Sequence, residues 1–138
     1  ITEMKTKIFA VLFCAALLAG FSSVSNAQTM YFCEDVSKDG DPITSSTVFN
    51  ISPNGGYLKI LVKLPYSLRS SQVMYDVYQV DSDGNESFDN TIYQDTESSW
   101  DWFWKEVTFY KTGRYNVYVY DRDRNFLTSG QVVINYKD

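Results

Sequence analysis

The stretch from Trp100 to Asp121, WDWFWKEVTFYKTGRYNVYVYD, holds all three tryptophans and four of the eleven tyrosines of the chain. Its second half alternates, so that Tyr115, Val117 and Val119 fall on one side and the residues between them on the other. A period of two is typical of a β-strand whose faces meet different surroundings. The first half alternates as well, and a Lys-Thr-Gly corner separates the halves. We therefore predict two strands, 100–110 and 114–121.

The rest of the sequence repeats this organisation on a smaller scale. Turn signals such as Lys38-Asp39-Gly40, Pro53-Asn54-Gly55 and Asp83-Gly84 separate short runs rich in Val, Ile, Tyr and Phe. Regularly spaced short strands indicate an all-β sandwich or barrel. No window shows a sustained helical period. The predicted strands are seven: 47–52, 57–64, 72–80, one that includes Phe88 and Ile92, 100–110, 114–121 and 126–136. Alternation predicts which of their side chains share a face or point inward: Leu58, Ile60, Val62 and Leu64; Val73, Tyr75 and Val77; and Val132 and Ile134.

One local motif carries a resemblance. The pattern Gly113-x-Tyr115-x-Val117-x-Val119 resembles the tyrosine corner of immunoglobulin-like domains, in which a tyrosine at the start of the sixth strand hydrogen-bonds back across the corner. Tyr115 matches that tyrosine, and Val117 stands where true immunoglobulins have the second cysteine. The resemblance covers residues 47–138. It implies an antiparallel β-sandwich of about seven strands without a disulfide. Immunoglobulin-like and fibronectin type III-like modules of exported bacterial proteins have this fold.

The first 27 residues have the composition of an export signal. Lys5 and Lys7 follow Met4, an uncharged apolar run spans 8–20, and small residues lead to Ala27. A basic start, a short apolar run and a small-residue cleavage site are typical of a secretory signal peptide, whereas a transmembrane helix needs about 20 apolar residues. We predict cleavage after Ala27, with residues 1–3 foreign to the signal, and a single domain over 28–138. The product is expected to be secreted or periplasmic, with no membrane insertion after cleavage.

The net charge restricts the class of binding partner, and the cysteine content restricts the disulfides that can form. Residues 28–138 carry ten basic and sixteen acidic side chains, a net charge of −6. A nucleic-acid partner is unfavourable because phosphates require a basic surface. Only Cys33 remains after cleavage, so no intramolecular disulfide can form, and we predict that this cysteine is buried.

Catalysis is restricted by the composition. The chain has no histidine, which excludes Ser-His-Asp and Cys-His machinery and histidine-ligated metals. A pair of carboxylates could still hydrolyse a glycoside, but the acids cluster in turns and a domain this small has little room for a cleft. We predict a non-enzymatic protein without a cofactor.

Trp100, Trp102 and Trp104 form the first candidate binding site. On one strand they would share a face, while Phe103, Val107 and Phe109 would form the core on the other. Trp102 and Trp104 would then point outward, with Lys59 or Lys63 as cation–π partners. Such a strip could bind a sugar or a partner protein; if buried, it would be core.

Tyrosines form the second candidate site. Tyr78, Tyr118 and Tyr120 point away from the predicted core on strands that share a sheet in an immunoglobulin-like sandwich, and Gln131 and Val133 join them. Tyrosine suits recognition because it is rigid, apolar and carries a hydroxyl. The alternative is a solvated face whose tyrosines were selected for strand propensity.

A weak calcium motif lies between two strands. Asp81, Asp83, Asn85 and Glu86 alternate oxygen ligands in the way Ca²⁺ prefers. A full calcium loop needs a further acid at a fixed distance and a helical context, which this stretch lacks. A hairpin turn built on Asp-Gly is the favoured interpretation, so no metal is predicted.

The sequence thus predicts an exported, non-enzymatic module that recognises a protein partner through an aromatic-rich sheet face. The alternative is a carbohydrate-binding module that uses Trp100, Trp102 and Trp104. The identity of the protein or glycan is left open by the residues.

Overall fold

A computed structural model describes residues 29–138, which form nine strands rather than the predicted seven. The predicted signal peptide and cleavage site lie outside the described residues. Within those residues no helix has the length and apolar character needed to cross a membrane. The strands are β1 (Thr29–Val36), β2 (Pro42–Ser45), β3 (Val48–Ile51), β4 (Gly56–Lys63), β5 (Gln72–Val80), β6 (Glu86–Asp95), β7 (Trp102–Phe109), β8 (Gly113–Asp121) and β9 (Phe126–Tyr136).

Two sheets face each other. Sheet A has the order β2-β1-β4-β7 and sheet B the order β3-β9-β8-β5-β6. Neighbouring strands are antiparallel except for β3, which runs parallel to β9. Strands β9, β8, β5 and β6 stand in the G-F-C-C′ order of an immunoglobulin-like sheet, and β4 with β7 corresponds to the B-E pair of the other sheet. The fold is therefore an immunoglobulin-like β-sandwich, and the described residues contain no disulfide because Cys33 is a free cysteine.

Alternation along the strands builds the core as the sequence predicts. Most inward-pointing side chains of the central strands are almost completely buried, and Tyr75 on β5 is the largest of those with almost no exposed area. Burial of an aromatic or branched side chain stabilises the fold by about 1.5–3 kcal/mol. The inward residues named from the sequence on β4, β5, β7, β8 and β9 are all at most 5% exposed: Leu58, Ile60, Val62, Val73, Tyr75, Val77, Phe103, Val107, Phe109, Tyr115, Val117, Val119, Val132 and Ile134.

The tyrosine corner is formed. The Tyr115 hydroxyl donates a hydrogen bond of 2.9 Å to the carbonyl of Lys111, four residues upstream. The ring of Phe109 lies 4.9 Å from the Tyr115 ring, between centroids. The corner therefore ties the end of β7 to the start of β8 and connects the two sheets.

Strands β1 and β2, which the sequence did not predict, form a hairpin at one side of sheet A. The first half of β1 pairs with β4, and the second half pairs with β2 instead. The turn between them reaches Trp102: a Cβ placed on Gly40 would lie 2.6 Å from Cδ2 of the indole. Asp41 of the same turn lies 3.7 Å from the Lys63 ammonium. The hairpin thus covers the part of sheet A around Trp102, which the sequence predicts to point outward.

Candidate functional site

The outer face of sheet B carries six aromatic side chains, which we call the aromatic face. Its three most exposed rings are Phe88 at 60%, Tyr93 at 58% and Phe126 at 56%. The three predicted tyrosines lie half-buried between them. Exposed aromatic rings of this density are uncommon on a solvated sheet and typical of recognition surfaces. The aromatic face consists of Tyr78, Phe88, Tyr93, Tyr118, Tyr120 and Phe126.

Five of the six rings of the aromatic face pack edge-to-face. Tyr78 lies 5.7 Å from Phe88 and 5.6 Å from Tyr118 between ring centroids, and Tyr120 lies 5.9 Å from Phe126. Edge-to-face pairs of this spacing contribute about 0.5–1.5 kcal/mol beyond their buried area. The rings are consequently held in place before any partner arrives.

Two bulges bring the phenylalanines onto this face. The pairing of β5 with β6 shifts between Val77 and Tyr78, so that Tyr78 lies opposite Phe88 and Asp89 is left over. The pairing of β8 with β9 shifts in the same way, so that Tyr120 lies opposite Phe126. A bulge re-aims side chains because one strand gains a residue. Each shift therefore places a phenylalanine beside a predicted tyrosine.

A polar chain crosses the same face. The Glu86 carboxylate accepts hydrogen bonds from the Tyr118 hydroxyl at 2.6 Å and from the Asn116 amide at 2.8 Å. Gln131 extends the chain by donating to the Asn116 amide oxygen at 2.7 Å. These donors lower the pKa of Glu86, the Tyr118 bond contributing most, and the same bond raises the pKa of Tyr118. The network fixes the orientation of the tyrosine hydroxyl.

The centre of the aromatic face holds a buried carboxylate. Asp76 is 4% exposed, and its two oxygens accept hydrogen bonds from Thr91 at 2.8 Å and from the Arg124 guanidinium at 2.9 Å. Arg124 also stacks on Tyr120, with its guanidinium carbon 4.5 Å from the ring centroid. The hydrogen bond to Asp76 raises the pKa of Arg124. Arg124 is thereby held against the aromatic face with half of its side chain exposed.

Arg124 adopts an unusual backbone conformation, with φ at +66°. It is the fourth residue of the turn Asp121–Asn125, in which Asp121 accepts hydrogen bonds from two backbone amides. Two other turns share this arrangement, Ser37–Asp41 and Asp81–Asn85, and both place glycine at the fourth position, with φ at +83° and +86°. A side chain at positive φ costs about 1–2 kcal/mol, so the Arg124 contacts must offset that cost.

The predicted tryptophan site lies on the other sheet, along β7. Trp104 is 39% exposed and Trp100 38%, while Trp102 is half-buried. Trp100 precedes β7, in a turn where its backbone amide donates to the Glu97 carbonyl, so the predicted strand begins two residues too early. A cavity of about 670 Å³ runs beside the strand, which we call the edge groove. It is lined by Gln94, Ser99, Trp100, Asp101, Trp102, Phe103, Trp104, Lys105 and Glu106.

Two of the three indoles are already covered on one side. The Lys59 ammonium lies 4.3 Å from the Trp104 ring centroid, which confirms the predicted cation–π contact, and Lys59 is held there by Asp35 at 2.7 Å. The β1–β2 turn lies against Trp102 through Gly40. The strip is therefore neither fully buried nor a row of free flat rings.

The six predicted binding residues thus divide into two sites. Tyr78, Tyr118 and Tyr120 come together on sheet B, and the three tryptophans come together beside β7 of sheet A. The contributors that the sequence analysis missed are Phe88, Tyr93, Phe126 and Arg124. The bulges and the pairing of distant strands place them, and neither leaves a periodic signal in the sequence.

The residues of the calcium motif are engaged in turn and sheet contacts. The Asp81 carboxylate accepts hydrogen bonds from the backbone amides of Asp83 and Asn85, each at 2.9 Å, and Glu86 is bound to Tyr118 and Asn116. Among residues 29–138 no group of three or more His, Cys, Asp or Glu side chains is arranged to hold a metal ion.

Cys33 is buried, as the sequence predicts. Its side chain has no exposed area, and the thiol lies 3.5 Å from the Lys59 carbonyl, to which it donates. Burial is the main cause that raises the pKa of this thiol. A thiol that is buried and protonated is a poor nucleophile.

Comparisons with known proteins add little to this geometry. No family model matches the sequence, and no curated protein matches it. Among solved structures, an immunoglobulin-like protein from Pseudomonas aeruginosa aligns at 12% identity with a TM-score of 0.49, covering 78% of this chain and 92% of that one. A likeness this distant says nothing about activity or ligands.

Proposed function

We propose that this chain is an exported, non-enzymatic module that binds a protein partner through the aromatic face of sheet B. The observation that carries the proposal is the exposure of Phe88, Tyr93 and Phe126, each above 55%, on one side of one sheet. Leaving such rings in water is unfavourable by about 25 cal/mol per Å² of apolar area. A partner that covers them recovers this free energy.

The fixed geometry of the face supports a specific partner. Edge-to-face packing holds Tyr78 and Tyr120, and the Glu86 network holds the Tyr118 hydroxyl. Side chains that are ordered before binding lose little conformational entropy when a partner docks. Arg124 adds guanidinium hydrogen-bond donors at the centre, and aromatic residues with arginine are the usual energetic centres of protein interfaces.

The saccharide alternative has weaker support. Sugars stack on free aromatic ring faces, yet Lys59 lies over Trp104 and Gly40 lies against Trp102. A tryptophan-fluorescence titration with soluble polysaccharides tests this alternative. Saturable binding that is lost in a Trp104→Ala variant would favour it over the protein partner.

The protein-partner proposal is tested by site-specific photo-crosslinking. A photoreactive phenylalanine analogue replaces Phe88 or Phe126 in the source cells, and cross-linked proteins are identified by mass spectrometry. Tyr57 is the matched control position, because it is 65% exposed on sheet A. We expect one protein to be captured from both test positions and not from position 57.

The captured protein is then purified and titrated with variants. Phe88→Ala and Phe126→Ala each remove a ring that is already exposed in the free chain, so folding should be retained while binding weakens at least tenfold. Tyr57→Ala should leave binding unchanged. Equal binding by all three variants would contradict the proposal.

A further inference from the structure

The edge groove lies where a strand is missing. β7 ends sheet A and β6 ends sheet B on the same side of the sandwich, and the Gln94 side chain spans between them, donating a 2.7 Å hydrogen bond to the Trp104 carbonyl. The connection from β6 to β7 is only six residues, 96–101, too short to contain another strand. In the described part of the chain no strand pairs with the free side of β7.

The backbone of β7 presents alternate hydrogen-bonding groups to this groove. Asp101 directs its carbonyl to the end of β4, where it accepts from the Leu64 amide at 2.7 Å. Because antiparallel pairing alternates along a strand, every second residue of β7 turns its amide and carbonyl away from β4 and toward the edge groove. These residues are 102, 104, 106 and 108. The bond from Gln94 to the Trp104 carbonyl confirms that direction. A row of such groups is the recognition surface for another β-strand.

Lys105 determines what kind of strand would fit. It lies on the inner side of β7, in register with Ile60 and between the buried Phe103 and Val107. It lines the edge groove and takes part in none of the three ion pairs found among residues 29–138. Lys105 is partly exposed as a residue, and without a carboxylate partner its ammonium is available to an incoming acidic side chain, with which it would form a charge-assisted hydrogen bond.

The neighbouring surfaces complete the pattern. A residue two positions to either side of that acid would lie beside Phe103 or Val107, both apolar and buried. On the far side, Ile92 and Gln94 of β6 face the same interior as Tyr75, whose hydroxyl donates to the Gln94 amide oxygen at 2.5 Å. The strand that fits therefore alternates apolar, acidic and apolar residues on its inner side.

We propose that the free edge of β7 binds an extended peptide segment of a partner protein by strand addition, with an acidic side chain of the peptide paired to Lys105. This site is separate from the aromatic face and does not depend on it. The Trp104 carbonyl can serve both Gln94 and a peptide amide because it has two lone pairs. Trp100 and Trp104 flank the added strand and would report its arrival by fluorescence.

The test uses a phage-displayed library of random nine-residue peptides selected on the purified chain. We expect enriched peptides to carry an acid with apolar residues two positions before and after it. The best peptide is then synthesised in three further forms: with the acid replaced by lysine, with alternate backbone nitrogens methylated, and scrambled. Each change should weaken binding at least tenfold, since it removes the ion pair, the strand hydrogen bonds or the register.

A charge exchange provides the decisive variant. Lys105→Glu should reject the acidic peptide and bind its lysine form, while Lys63→Glu on the other face of sheet A should bind like the unchanged chain. Circular dichroism checks that both variants fold. Retained affinity for the methylated peptide would overturn strand addition.

The other outcomes also overturn the proposal. No enrichment of the acidic pattern would do so, as would binding of the acidic peptide by Lys105→Glu. A third result would also overturn it: the Lys105→Ala variant dimerises, and the unchanged chain binds no peptide. Lys105 would then serve only to prevent the edge strand from pairing with a second copy of the chain.

Discussion

Replacing Arg124 by glycine tests whether the contacts of the aromatic face hold a strained backbone. Arg124 has φ at +66° in a turn whose two counterparts have glycine at the same position. The substitution removes the hydrogen bond to Asp76 and the stacking on Tyr120. It also removes the side chain that makes positive φ unfavourable.

The balance of these contributions can be worked out. Asp76 is 4% exposed, so losing the guanidinium leaves a buried carboxylate with Thr91 as its remaining side-chain partner. A hydrogen bond to a charged group contributes about 2–3 kcal/mol. The stacking adds about 0.5 kcal/mol at an exposed site, and relief of the backbone returns about 1 kcal/mol. We expect Arg124→Gly to lower the free energy of unfolding by roughly 2 kcal/mol, although glycine suits the turn better.

Urea unfolding followed by tryptophan fluorescence measures this change. The matched control is Gly84→Arg, which places an arginine in the equivalent turn at φ +86°, where no atom lies within 4 Å of the new Cβ. The control should lower the free energy of unfolding by about 1 kcal/mol, the cost of the conformation without the contacts. An Asp76→Asn background should reduce the effect of Arg124→Gly by more than half.

An Arg124→Gly variant that is as stable as the unchanged chain, or more stable, would refute this reasoning, because the contacts of Arg124 would then not exceed the cost of its backbone conformation. An equal effect of Arg124→Gly in the unchanged chain and in the Asp76→Asn background would refute it as well, since the two side chains would be energetically independent.

Three further outcomes are expected from the same structure. Tyr115→Phe should lower the free energy of unfolding by about 1 kcal/mol in urea titrations, because the corner hydrogen bond is lost; an unchanged midpoint would contradict a stabilising corner. The pKa of Glu86 is lowered in the fold, so its contribution is complete above the ordinary value of 4.5 and is lost as pH falls through the lower folded value. Melting temperatures measured from pH 7 to pH 3 should therefore fall less steeply for Glu86→Gln than for the unchanged chain, and parallel curves would exclude the linkage. Gly40→Ala should destabilise the chain by about 1–3 kcal/mol and alter the emission of Trp102, since the new methyl would lie 2.6 Å from the indole at φ +83°; a wild-type melt and spectrum would show that the turn does not hold the ring.

Much of the sandwich could be predicted because seven strands have local sequence signals. Alternation on β4, β5, β8 and β9 named the inward residues correctly, and the Gly113-Tyr115 pattern predicted a hydrogen bond that the structure contains. The cation–π contact of Trp104 followed from the same periodicity, because it put that ring and Lys59 outside the core.

The hairpin of β1 and β2 shows where a local sequence pattern fails to predict a strand. β2 has four residues, includes a proline, and holds Thr44 at φ +54°, so it has no alternation to detect. Near its end β1 carries two acidic residues, Glu34 and Asp35, that favour solvent, yet the Asp35 carboxylate lies 2.7 Å from the Lys59 ammonium. These strands are stabilised by their contacts with other strands, and a local stretch of sequence does not show those contacts.

The sequence by itself determined the all-β class, the inward faces of the core strands, the corner at Tyr115 and the burial of Cys33. These features depend on the order of polar and apolar residues within a few positions, because side chains alternate along a strand. Only the tertiary structure decided which exposed residues act together. Two register shifts moved Phe88 and Phe126 onto the aromatic face, and Arg124 reached Asp76 across 48 residues of chain. Both shifts lie within hairpins of consecutive strands, and the pairing of β5 with β8 brings the two hairpins side by side. The free energy of that pairing is shared by residues that no local window contains.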